Sequence, residues 1–119
     1  MMTDAEILGA QPPSHAVIYR DGDAVGMLLP ITPSVWEVHC GAAPAMRGKA
    51  SLAAFRRLLS EFWSDHPEVQ ELIGVMKSEH RAARLNALRL GFKHFLTQKI
   101  QWPDGVAHTT ACYRLEKPL

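Results

Sequence analysis

The sequence predicts an α/β (α+β) domain built as a mixed, mostly antiparallel sheet with two packed helices. Three observations carry this expectation. Between residues 35 and 76 the hydrophobic period changes from that of a strand to that of a helix and back. Two glycine-containing turns, Asp21-Gly22 and Pro103-Asp104-Gly105, each separate a pair of strand-like runs. The resulting order, β-β-β-α-β-α-β-β, leaves one connection long enough for a right-handed parallel crossover, the others being hairpins or a helix.

Each element follows from local chemistry. Residues 1 to 14 read as a short arm closed by Pro12-Pro13, and residues 15 to 119 as a single domain. "HAVIYR" and "AVGMLLP" flank "DGD", where a type I′ turn would place positive φ at its central residues. "ITPS" is a loop. "VWEVHCGA" is the third strand, with Trp36, Val38 and Cys40 on one face and Glu37 and His39 on the other. From Lys49 to Ser64 a helical stripe runs through Leu52, Phe55, Leu58, Leu59, Phe62 and Trp63, with Arg56, Arg57, Ser60 and Glu61 opposite. Pro67 ends that helix, because the residue before proline avoids helical angles. "VQELIGVM" is the next strand, so Val35–Ala42 and Val69–Met76 are expected to be neighbouring and parallel. Ser78 is the expected N-cap of a helix over Glu79–Leu90, with Gly91 just past its end. "FKHFLTQKIQW" and "VAHTTACYRLE" complete the sheet as a hairpin around "PDG".

Composition narrows the function classes. A chain of 119 residues is enough for one domain, which needs no disulfide staples. A net charge of +1 makes no general electrostatic case for nucleic acid. The local clusters Arg47/Lys49, Arg56/Arg57 and Arg81/Arg84/Arg89 read as solvated helix faces. Cys40 and Cys112 lie far apart in apolar stretches, which predicts buried thiols and excludes a zinc pattern. The first residues carry neither a basic start nor a long apolar run, so the expectation is a cytoplasmic protein with no membrane span.

Two motifs carry chemistry. "RGKASL", Arg47 to Leu52, stands between a strand and a helix, where unpaired N–H groups and the helix dipole favour an anion. "HRAARLNALRLGF", His80 to Phe92, forms the second helix. With the element order, these motifs resemble the GNAT acyltransferase superfamily, whose pyrophosphate loop reads [Q/R]-x-x-G-x-[G/A] and whose second helix often reads N-x-x-A-x-x-x-Y-x-x-x-G-F. The resemblance covers residues 15 to 115, and the chain is similar to small GNAT-like proteins encoded by bacteriophages. It implies a GNAT-like acyl-CoA N-acyltransferase fold and acetyl-CoA as co-substrate. Arg47, Gly48, Lys49, Ala50 and His80 would be its binding residues and a primary amine the acceptor.

The chain also departs from that pattern. Ala50 and Leu52 stand where the family has glycine or a small residue, and Leu52 would either crowd the cofactor or point into the core. Ala87 stands where the family often has the tyrosine that protonates the leaving thiolate. Only 14 residues precede His15, so the implied fold is truncated at its N-terminal end. The acceptor half would be open, absent, or supplied by a second copy or a partner protein. For proton removal from the amine, Glu37 and His39 on the strand before the loop are the candidates, and Tyr113 on the last strand is the candidate donor. Two classes therefore stand open. One is an acetyl-CoA-dependent N-acyltransferase. The other is a non-catalytic GNAT-like structural or interaction protein, such as a virion component.

Overall fold

The computed structural model describes residues 1–118; the last residue of the expected domain lies outside them. In chain order the elements are α1 (Asp4–Leu8), β1 (Val17–Asp21), β2 (Ala24–Pro30), β3 (Val35–Ala42), α2 (Lys49–Asp65), β4 (Glu71–Lys77), α3 (Arg81–Arg89), β5 (Lys93–Gln101) and β6 (Ala107–Glu116), with a 3-10 turn at Pro44–Met46. The six strands form one sheet in the order β1-β2-β3-β4-β6-β5. All neighbours are antiparallel except β3 and β4, which are parallel and joined through α2, as the change of period predicts.

The turns follow glycine's freedom at positive φ. In the first hairpin Asp21 pairs with Ala24, so the central residues are Gly22 and Asp23, and only Gly22 has positive φ, at 60°. That is the pattern of a type II′ turn, and the expected I′ turn does not form. At the end of α3 the Gly91 N–H donates to the Leu88 carbonyl and the Phe92 N–H to the Ala87 carbonyl. Gly91, at φ 97°, thereby closes the helix in a Schellman motif. The start of α3 is later than expected. The Ser78 N–H donates to the Thr109 carbonyl at 2.8 Å, which continues the β4–β6 ladder and keeps Ser78 from capping the helix. His80 is the N-cap residue instead.

One face of the sheet carries the core. Phe55, Leu58, Leu59 and Phe62 of α2 form a single buried cluster with Leu28, Val38 and Leu72 of the sheet, and Ala87 and Phe92 join it from α3 and the residue that follows its end. The helical stripe holds with two shifts: Ser51 and Ala54 are buried, whereas Leu52 and Trp63 are only partly so. A periodicity reading weighted by size passes over buried small residues such as these. Tyr113, opposite Gly74, is also in this cluster and buried.

The other face carries α1, a helix within residues 1 to 14 that the expectation of a plain arm does not include. Thr3 and Glu6 form a reciprocal capping box, and Gly9 ends the helix in the left-handed conformation. Gly41 lets α1 dock: a Cβ there would lie 2.9 Å from the Ile7 carbonyl oxygen. Arg20 ties the segment down by donating to Asp4, Asp23 and the carbonyls of Met2 and Gly22.

Candidate functional site: a slot between two parting strands

The parallel strands β3 and β4 pair only at Val35–Glu71, Trp36–Leu72 and Glu37–Ile73. Beyond those residues β3 continues along β2 to Ala42, and β4 continues along β6 to Lys77. The two strands therefore part, and the slot between them opens a cleft of about 780 Å³. Val38 to Ala42 form one wall and Gly74 to Lys77 the other. Backbone groups along both walls lack strand partners in the slot, so they can pair with an extended ligand.

On the α2 and α3 side, Arg47, Gly48, Ser51 and Phe55 line the cleft together with His80, Ala83 and Ala87. Gly48, the N-cap of α2, has φ 98° and ψ −140°, a conformation open essentially to glycine alone. A Cβ there would meet nothing within 4 Å, so the space above it is open. No side chain caps α2, and none caps α3 at His80. Arg47 folds back, its Nε donating to the Ala42 carbonyl at 3.4 Å. Lys49 and Ala50 occupy the exposed first turn of α2 without lining the cleft wall. Leu52 does not line it either, which removes the expectation that it would crowd the loop. Sequence reasoning misses Ser51, 2% exposed, whose hydroxyl donates to the Gly48 carbonyl at 2.9 Å and braces the loop.

On the α1 side lie Ile7, Leu8, His39, Gly41, Lys77 and Trp102. Glu37 is the last residue of β3 that pairs with β4, so it stands where the strands part. His39 follows on the same face, with its Nε2 3.4 Å from Glu37 Oε2. The His39 hydrogen bond holds the Glu37 carboxyl below its ordinary value of 4.5, against the opposing effect of burial. Arg57 does the same for Asp21, and His108 for Asp104. A carboxyl depressed in the folded state stabilises fully above its unfolded value and loses that contribution as pH falls through the folded one. The contribution of these three carboxyls to the melting temperature should therefore be complete above about pH 4.5 and decline below it. A melting temperature unchanged down to pH 3 would show that these partners contribute nothing.

Other expectations are corrected by position. Tyr113 packs 5.1 Å from the His94 ring, is 4% exposed and does not line the cleft, so its place gives it no access as a proton donor. Cys112 is buried as expected, but Cys40 is exposed on the cleft wall; both are free. Ala87 does face the cleft, and no tyrosine is among the residues lining it. Of the clustered cations, Arg56 caps the Arg89 carbonyl and Arg57 pairs with Asp21, whereas Arg47 and Arg89 line the cleft. Trp36 and Trp63 pack on the core, but Trp102 lines the cleft.

No family model and no curated protein matches the sequence. The fold has matches among solved structures: it is the fold of the GNAT acetyltransferases. A variant of the spermidine N-acetyltransferase from Vibrio cholerae superposes with a TM-score of 0.69 at 14% identity, over 83% of this chain and 63% of that one. A GNAT-family acetyltransferase from Bacillus anthracis gives 0.65 at 10% identity, over 78% and 57%. The microcin C7 self-immunity acetyltransferase, solved with acetyl-CoA and AMP, gives 0.67 at 16% identity, over 80% and 54%. The match therefore spans between 54% and 63% of the length of these three structures. Among the described residues no helix is long and apolar enough to cross a membrane.

Proposed function

We propose that this chain binds acetyl-CoA and transfers its acyl group to a primary amine. The observation that carries the proposal is the slot where β3 and β4 part, which has chemically different mouths on the two faces of the sheet. The mouth beside α2 suits a pyrophosphate. It offers the uncapped N–H groups of Gly48, Lys49 and Ala50, the positive end of the helix dipole, and the Arg47 and Lys49 charges. His80, at the equally uncapped start of α3, faces the same mouth. The unpaired strand edges within the slot suit an extended arm that carries amides.

On the α1 face, His39 would accept the proton that the amine loses as its nitrogen attacks the thioester carbonyl. Glu37, 3.4 Å from His39 Nε2, would orient the ring. With no tyrosine hydroxyl in the cleft, the departing thiolate takes its proton from solvent or from the imidazolium. A thiolate is a good enough leaving group for that. On this reading a second copy or a partner protein would add to the walls of the acceptor side, which α1 and Trp102 line in the single chain.

Calorimetric titration with acetyl-CoA tests the reading directly. Saturable binding is expected, and replacing Arg47 and Lys49 together with alanine should weaken it by about 1–3 kcal/mol for each charge-assisted hydrogen bond removed. Wild-type protein that takes up no acetyl-CoA at millimolar concentration would remove the enzymatic reading. A non-catalytic structural role, such as that of a virion component, would then stand in its place.

A further inference from the structure

We propose that the acceptor amine carries an anionic group together with a flat apolar body, recognised by Lys77 and Trp102 at the α1-side mouth of the slot. This rests on the acyltransfer reading above and adds the class of acceptor. The composition of the cleft is the starting point. Arg47, Lys77 and Arg89 line it with His39 and His80, and among its described residues there is neither Asp nor Glu. The cations on the α2 and α3 side are accounted for by a phosphate-bearing cofactor. Lys77 is not, because it lies across the sheet from them.

That placement follows from register. Glu37 pairs with Ile73, so Ile73, Val75 and Lys77 share the face of Glu37, His39 and α1. Lys77 pairs with Thr110, and the Trp102 indole N–H donates to Thr110 Oγ at 2.9 Å on that same face. Thr110 is fully buried and donates its own hydroxyl proton to the His108 carbonyl at 2.9 Å. The indole is therefore fixed as a platform by a hydroxyl with no freedom to turn.

The Lys77 ammonium sits 5.2 Å from the centre of that indole ring. No carboxylate lies within 4.0 Å of it among the described residues. Asp104 is near enough to feel its charge, but the Asp104 carboxylate accepts from the Val106 N–H at 2.9 Å and contacts His108 Nε2 at 2.8 Å. A cation held over an aromatic face, half-buried and without a counter-ion, is a ready partner for a carboxylate or phosphate beside a ring. The same arrangement disfavours a polycationic acceptor: no carboxylate lines the cleft among the described residues, and the nearby Glu37 and Asp104 are already paired with His39 and His108.

The test compares para-(aminomethyl)benzoate with its carboxamide, which differ only in the anionic group, and adds para-(aminomethyl)phenylphosphonate to separate carboxylate from phosphate recognition. Binding is read from the Trp102 indole N–H resonance, assigned with Trp102→Phe, in the presence of saturating CoA. The benzoate or the phosphonate should shift that resonance saturably and bind about tenfold or more tightly than the amide. Lys77→Gln should abolish the difference, and Lys77→Glu should reverse it. Turnover, followed as CoA thiol release, should show the same order in kcat/KM. If the amide binds as well as both anions, or if Lys77→Gln leaves the preference intact, the proposal is overturned. Absence of acetyl-CoA binding in calorimetry is a separate failure, which removes the cofactor reading and is measured without reference to Trp102.

Discussion

His39→Ala is expected to lower the rate of acetyl transfer to a primary amine by about 10²–10⁴, the usual loss when a positioned base is removed. Acetyl-CoA affinity should be unchanged, because His39 lies on the face of the sheet opposite the α2 N-terminus. Single-turnover transfer measured alongside calorimetric binding separates the two effects. Glu37→Gln should cost less, because glutamine can still accept a hydrogen bond from the ring while losing the charge that stabilises imidazolium. His39 Nε2 lies 3.4 Å from Glu37 Oε2, so the pair is in contact in the resting protein. If His39→Ala transfers at more than about a third of the wild-type rate, water must remove the proton and the side chain is incidental.

Phe62→Ala should destabilise the domain by about 3–5 kcal/mol, the usual cost of truncating a buried aromatic. Phe62 is 0% exposed and is the centre of an aromatic cluster. Its ring lies 4.7 Å from His66 in a stacked pair and 5.4, 5.7 and 6.2 Å from Trp36, Trp63 and Tyr19 in edge-on contacts. The site depends on this packing, since Trp36 is one of the three β3 residues paired with β4, and α2 presents Gly48 from its other end. For a domain with an ordinary margin of about 5–15 kcal/mol, the loss is a large share of the total. Thermal unfolding should show the midpoint falling by roughly 10–25 °C. A fall of under about 5 °C would mean that the cluster can collapse around the gap.

Much of the fold is legible in the sequence because it rests on local rules. The strand–helix–strand alternation, the parallel pairing, the glycine turns and the ends of both long helices follow from period, proline and glycine. The capping box at Thr3 and Glu6 is legible too, but it is easily passed over, because a five-residue helix has no apolar stripe to draw attention to it. The site is legible only in part. The loop at Arg47-Gly48 and the His39–Glu37 pair can be named from the sequence, because one is a contiguous motif and the other two residues of alternate spacing on one strand. Ser51 is hidden by its size, and Trp102 by its distance in sequence from Lys77 and the other residues of the slot.

The sequence by itself determined the six strands and the two longer helices, that glycine-bearing turns stand at 22 and 91, and that a basic loop precedes the long helix. Only the tertiary structure decided that β3 and β4 part after Glu37, that Tyr113 turns into the core, that Cys40 is exposed, and that Lys77 and Trp102 meet at the slot. The division has a physical cause. Backbone angles and periodicity are set by residues within a few positions of each other. Where two paired strands separate is set by competition between their other neighbours, β2 and β6, whose registers hold β3 and β4 on diverging courses.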